Sequence, residues 1–165
     1  MNAANEKIKP NHPAAGPSAN SELIKQTFPA KYKSLQGIRE FVAQQAGDHG
    51  FNPNEVYAIQ IAADEAFTNI IEHAYGGESV KDIECACFSG ENEFTVTMID
   101  TGIPFDPTEI PEPDTSIPLE ERDIGGLGVH FMRVYMDEVR FKRVQKPGLE
   151  GDSCNQLVMV KRKKT

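Results

Sequence analysis

The sequence predicts an α+β two-layer sandwich, with helices on one face of a mixed, mostly antiparallel sheet. Three observations predict it. Two long stretches with helical apolar spacing follow a strand-like run, two alternating runs are joined by the turn-forming "SGEN", and a last helical stretch precedes two more alternating runs. Strand, two helices, two strands, loop, helix, two strands is the order expected when helices gather on one side of an antiparallel sheet. No internal repeat is present.

Residues 1–20, "MNAANEKIKPNHPAAGPSAN", are rich in Pro, Asn and Ala and lack the apolar core of a signal peptide. They read as a disordered leader, in part an expression remnant, ahead of a single domain over residues 21–165. "ELIKQTFPA" is the first strand. "KSLQGIREFVAQQAG" sets Leu35, Ile38, Phe41, Val42 and Ala46 on one helical stripe. In "GFNPNEVYAIQIAADEAFTNIIEHAYGG", Pro53 opens the second helix, where a missing N–H costs nothing, and Gly76-Gly77 closes it.

"KDIECACF" and "EFTVTMID" form a hairpin, and in its second strand Phe94, Val96, Met98 and Asp100 alternate onto one face. A carboxylate at the exit of that apolar face needs a polar partner. Residues 103–124 hold five of the eleven prolines and several acids, so they form a lid-like loop and no regular element. "GGLGVHFMRVYMDE" returns to helix, and "VRFKRV" and "NQLVMVKR" supply the last strands.

Apolar residues make up 39% of the 165, and no run approaches membrane-spanning length. A soluble, cytoplasmic protein with no membrane partner is expected. The net charge of −8 includes Lys161, Arg162, Lys163 and Lys164, so the rest of the chain is more acidic still. Such a body disfavours nucleic acid and suits a basic protein partner, and the basic tail reads as a solvated end. Cys85 and Cys87 lie i, i+2 on one strand, poor geometry for a disulfide, and with Cys154 they are too few for structural zinc. Buried thiols in a reducing compartment follow.

Three motifs carry chemistry. In "ADEAFTNIIEHAYGG", Glu65, Asn69 and His73 recur at four-residue steps. With Glu65 at zero on a helical wheel, Asn69 falls at about 40° and His73 at about 80°, bordering the inward stripe. An Asn amide oxygen suits Mg²⁺, and a Glu one turn away can accept a proton. In "DTGIPFDP", the Asp100 carboxylate can accept a hydrogen bond from an exocyclic amine such as that of adenine, while Gly102 lets backbone approach a flat ring. In "GGLGVHFM", Gly125, Gly126, Leu127, Gly128 and Val129 lead into a helix whose N–H groups can converge on phosphate. Taken singly, each has a plainer reading: surface polar residues, a strand-to-turn transition, a flexible hinge.

Taken in this order, with a lid between the second and third, they resemble the GHKL (Bergerat) ATP-binding fold of the histidine kinase-like ATPases. Within it, the likeness is to bacterial anti-sigma factor serine/threonine kinases of partner-switching modules, over about residues 22–162. Pro104 stands where histidine kinases usually carry a second glycine, and no upstream helical hairpin offers a phospho-accepting histidine. His49, His73 and His130 therefore read as structural or pocket-lining.

The resemblance implies ATP and Mg²⁺ as cofactors, Glu65 as general base, Asn69 as metal ligand and Asp100 as adenine reader. Gly102, Gly126 and Gly128 would shape the purine and phosphate pockets, and Arg122 would meet the terminal phosphate. The Thr common near the last strand of the family has no counterpart in "GDSCNQLVM". Implied partners are a STAS-type anti-sigma factor antagonist, a sigma factor and a second copy in a homodimer. The competing reading is a non-catalytic, ATP-dependent partner-binding module.

Overall fold

The computed structural model describes residues 21–121, 127–145 and 153–164. The leader expected over 1–20 lies outside the described residues. The chain starts with β1 (Glu22–Pro29) and a 3₁₀ turn at Tyr32–Ser34, which lead into α1 (Leu35–Asp48). The stripe read from the sequence is the buried one, with Ile38, Phe41, Val42 and Ala46 all in the core.

Helix α2 (Pro53–Asn69) starts on a reciprocal cap. Asn52 Oδ1 accepts from the Glu55 N–H and Glu55 Oε2 accepts from the Asn52 N–H, each at 2.9 Å, with Pro53 in the first turn. Its buried face is largely alanine (Ala58, Ala62, Ala63, Ala66), with Ile59 and Phe67. These small side chains allow close approach on both flanks, and α2 packs between α1 and α3 (Leu127–Tyr135).

The end of α2 departs from expectation. The helix does not run on regularly to the glycine pair but widens at Ile70–Ala74 into a π-helical turn, closed by the Tyr75 N–H on the Ile70 carbonyl at 3.0 Å. Gly76 (φ 70°) and Gly77 (φ 132°) then reverse the chain, a conformation that disfavours other residues. A wider turn shifts every later side chain around the axis.

The sheet comprises β2 (Asp82–Ser89), β3 (Glu93–Asp100), β4 (Glu138–Gln145) and β5 (Ser153–Arg162) with β1, in the order β1-β2-β3-β5-β4. All four pairings are antiparallel. The alternation of β3 is realised: Phe94, Val96, Met98 and Asp100 are buried, and Cys85 and Cys87 on β2 and Leu157 and Met159 on β5 share the helix-facing side. All three cysteines are buried free thiols. Among the described residues no helix is long and apolar enough to cross a membrane.

Two expectations need correction. The segment 103–121 contains 3₁₀ turns at Pro107–Glu109 and Leu119–Glu121, the first capped by Asp106. The basic end is not simply solvated. Lys161 Nζ donates to the Tyr135 carbonyl at 2.7 Å, and Arg162 pairs with Glu138 at 2.9 Å, because both residues belong to β5.

Candidate functional site

Glu65 and Asn69 lie one turn apart on α2, where the start of α3 comes against them. The contact is made by bare backbone. A Cβ on Gly128 would collide with Glu65 Oε2 and stand 3.9 Å from Asn69 Oδ1. Gly128 is thus needed here to leave the Glu65 carboxylate in place, not for the fold itself. Val129 beside it is buried in the core. As the first turn of a helix, the start of α3 carries N–H groups that have no intrahelical partner and the positive end of the helix dipole.

Asn69 is only 8% exposed, and among the described residues its buried Nδ2 has no hydrogen-bond partner. A buried N–H donor left unsatisfied is costly, which points to an acceptor such as a phosphate oxygen at this position, while the amide's Oδ1 is the atom suited to a cation. Glu65 is half-buried, and its carboxyl is raised above the ordinary range, first by burial and then by the charges of Asp64 and Glu72. Among the described residues no cluster of three or more His, Cys, Asp or Glu side chains gathers to hold a metal. A cation beside Asn69 would therefore take few protein ligands and complete its shell with water and phosphate, the habit of Mg²⁺.

His73 falls elsewhere than the wheel placed it. It is exposed, stacked on Phe105 with ring centroids 4.4 Å apart, because the π-helical turn rotates it off the α-helical stripe. Arg122, Gly125 and Gly126 lie outside the described residues, and of Leu127 only the backbone is described.

Asp100 sits at the other end of the site and is 5% exposed. Its Oδ1 accepts from the Gly102 N–H and from Asn155 Nδ2, both at 2.9 Å. Among the described residues no hydrogen bond reaches Oδ2, which leaves one carboxylate oxygen for a donor on a ligand. Burial raises this carboxyl, and Asn155, Gly102 and the charge of Arg143 offset part of the rise. Gly102 is indispensable for a different reason from Gly128: a Cβ there would strike the Ala74 carbonyl oxygen and lie 2.6 Å from its carbon. The Ile103 N–H on that same oxygen at 2.9 Å staples the loop to the end of α2. Tyr75 adds a second staple, its hydroxyl accepting from the Thr101 N–H and donating to the Asp82 carbonyl, each at 3.1 Å. Alongside lies an open hollow of about 400 Å³, lined in part by Ala74, Tyr75, Gly102, Ile103 and Arg143.

Asn155 is the site residue that the sequence reading missed. It is 1% exposed, lies directly opposite Asp100 in the β3–β5 register, and also donates to the Gly102 and Ile103 carbonyls at 3.1 Å. Arg143 holds its Oδ1 at 3.1 Å. It occupies the last-strand position beside Asp100. The available signal was an Asn on the inward phase of "SCNQLVMV", in register with Leu157 and Met159.

Comparison with known proteins bears on these residues together. The family model described as "Histidine kinase-like ATPase domain" matches residues 28–161. The chain is 32% identical over 146 residues to proteins named "Serine-protein kinase RsbW" from Bacillus cereus (strain AH820) and Bacillus thuringiensis (strain Al Hakam), covering 79% of this chain and 91% of each relative. Among solved structures, the RsbU and RsbW domains of Rv1364c from Mycobacterium tuberculosis superpose with a TM-score of 0.55 at 15% identity. That match covers 86% of this chain and 32% of the other, and it concerns the fold alone.

Proposed function

The chain belongs to the histidine kinase-like ATPase domain family, and from that premise we propose that it is a serine/threonine protein kinase that uses Mg-ATP. Its substrate is a Ser or Thr of a STAS-type anti-sigma factor antagonist, and in the alternate state of the switch it sequesters a sigma factor. It does so in the cytoplasm, as a single domain that pairs with a second copy of itself. The observation that carries the reading is the meeting of Glu65, the unsatisfied Asn69 amide and the bare backbone of Gly128 at the start of α3.

Mg-ATP, when bound, supplies the phosphoryl group and the neutralising cation. Asn69 would hold the cation, and the first turn of α3 would receive phosphate oxygens on its free N–H groups. Asp100 would accept the adenine amine on Oδ2, with Asn155 fixing the carboxylate through Oδ1. From Glu65 to Ala74 the helix axis advances about 13 Å, a span suited to a triphosphate at one end and a base at the other. Glu65 would take the proton of the attacking hydroxyl. Its raised carboxyl makes its ionised form a stronger base than an ordinary glutamate, a value closer to that favoured at neutral pH. Phosphoryl transfer asks mainly for positioning and charge compensation, and these groups offer both.

The test is incubation of the purified chain with γ-labelled ATP, Mg²⁺ and a STAS-type antagonist from the same host. Label on a Ser or Thr of the antagonist is the expected outcome. Retention of ATP with an unlabelled but bound partner would instead identify a non-catalytic binding module.

A further inference from the structure

Arg133 lies in the last turn of α3, away from the Gly128 end that meets Glu65. Its guanidinium gathers three carbonyls from the start of the lid. Nη1 donates to Ile110 at 2.8 Å, and Nη2 donates to Thr108 at 2.8 Å and to Pro107 at 3.2 Å. A guanidinium is a rigid planar fork of donors with no acceptor, well matched to several carbonyls turned the same way by a 3₁₀ turn. The turn is prepared for this role. Pro107 is buried, Ile110 packs on the core, and Asp106 Oδ1 accepts from the Thr108 N–H at 2.8 Å and its hydroxyl at 2.6 Å.

One short helix therefore joins the site to the turn at residues 107–110. Its first turn sets Gly128 against Glu65 and Asn69, and its last turn holds residues 107–110. Nine residues of α-helix are about 13 Å of stiff rod, so a displacement at one end is transmitted to the other. We propose that Arg133 is a positioning residue that makes α3 and residues 107–110 move as one unit, so that a triphosphate engaging the first turn of α3 also sets the position of that turn. The nucleotide half of this rests on the kinase reading; the mechanical half does not.

The experiment uses the full chain as wild type, Arg133→Gln and Arg133→Lys. Amide exchange at residues 108–110 is measured without nucleotide, and steady-state phosphotransfer is measured with Mg-ATP. Gln cannot span three carbonyls and Lys lacks the fork. Exchange should quicken in Arg133→Gln and change less in Arg133→Lys. KM for ATP should rise by about tenfold in Arg133→Gln with kcat within about threefold of wild type, the scale of losing hydrogen bonds from a charged donor. Unchanged exchange in Arg133→Gln would overturn the clamp, and a fall in kcat at constant KM would overturn the coupling. Exchange is read without ATP, so it still judges the clamp if the wild type transfers no phosphate, a result that counts against the kinase reading alone.

Discussion

At the residue scale, Asn69 and Asp100, two of the three polar side chains buried in this site, differ in what burial does to them. Asn69 is uncharged and among the described residues lacks a partner for Nδ2, so its deficit is local and an acceptor such as a phosphate oxygen removes it, with Oδ1 left for the cation. Asn69→Ala should fold normally and lose ATP affinity strongly in Mg²⁺ but little in EDTA. Calorimetry showing equal loss in both conditions would take Asn69 off the metal. Asp100 carries a charge that burial disfavours, so the folded protein penalises its ionised form. The penalty is absent below the ordinary aspartate range and sets in as pH climbs through the raised value. Asp100→Asn has nothing to ionise and keeps an oxygen for Gly102 and Asn155. Its melting temperature should therefore gain on wild type across that window and run parallel outside it, while adenine nucleotide affinity falls. A variant that loses ground as pH rises would show the charge to be favourable in the fold. Glu65, Asn69 and Asp100 were legible in the sequence because each is a polar residue on an apolar phase. Asn155 carries the same signal, but its place opposite Asp100 depends on the β3–β5 pairing, which local pattern does not show.

At the scale of elements, the two glycines against the site separate packing from chemistry. A Cβ at Gly102 meets the Ala74 backbone, which cannot give way. Gly102→Ala should cost about 1–3 kcal/mol of stability, the usual range for overpacking, and weaken nucleotide binding with it. A Cβ at Gly128 meets only the tip of the Glu65 side chain, which can rotate. Gly128→Ala should fold about as stably as wild type, helped by alanine's helix preference, yet transfer phosphate poorly because the carboxylate is displaced. Equal stability and equal transfer in the two variants would contradict this division. The helices and strands themselves were readable from periods of 3.6 and 2. The π-helical turn at Ile70–Ala74 was not, because the apolar pattern of "NIIEHAYGG" suits an ordinary helix, and it moved His73 out onto Phe105. The Arg133 clamp was equally silent, since carbonyl acceptors leave no mark on side-chain sequence.

At the scale of the whole molecule, the sheet order brings the site together. β5 inserts between β3 and β4, so Asn155 reaches Asp100 across more than fifty residues of chain, with Arg143 behind it. Element order alone suggested helices over an antiparallel sheet but not this insertion, which depends on non-local pairing. If the assembled site transfers phosphate with Glu65 as base, Glu65→Gln separates that chemistry from binding, with phosphorylation rate and ATP affinity measured side by side. Glutamine keeps the shape and the neutral hydrogen bonding, so Mg-ATP should bind nearly as well and the protein should fold as stably. Transfer to the antagonist's hydroxyl should fall by about 10²–10⁴-fold, the scale of a lost general base. A Glu65→Gln protein that phosphorylates its partner at the wild-type rate would contradict the account.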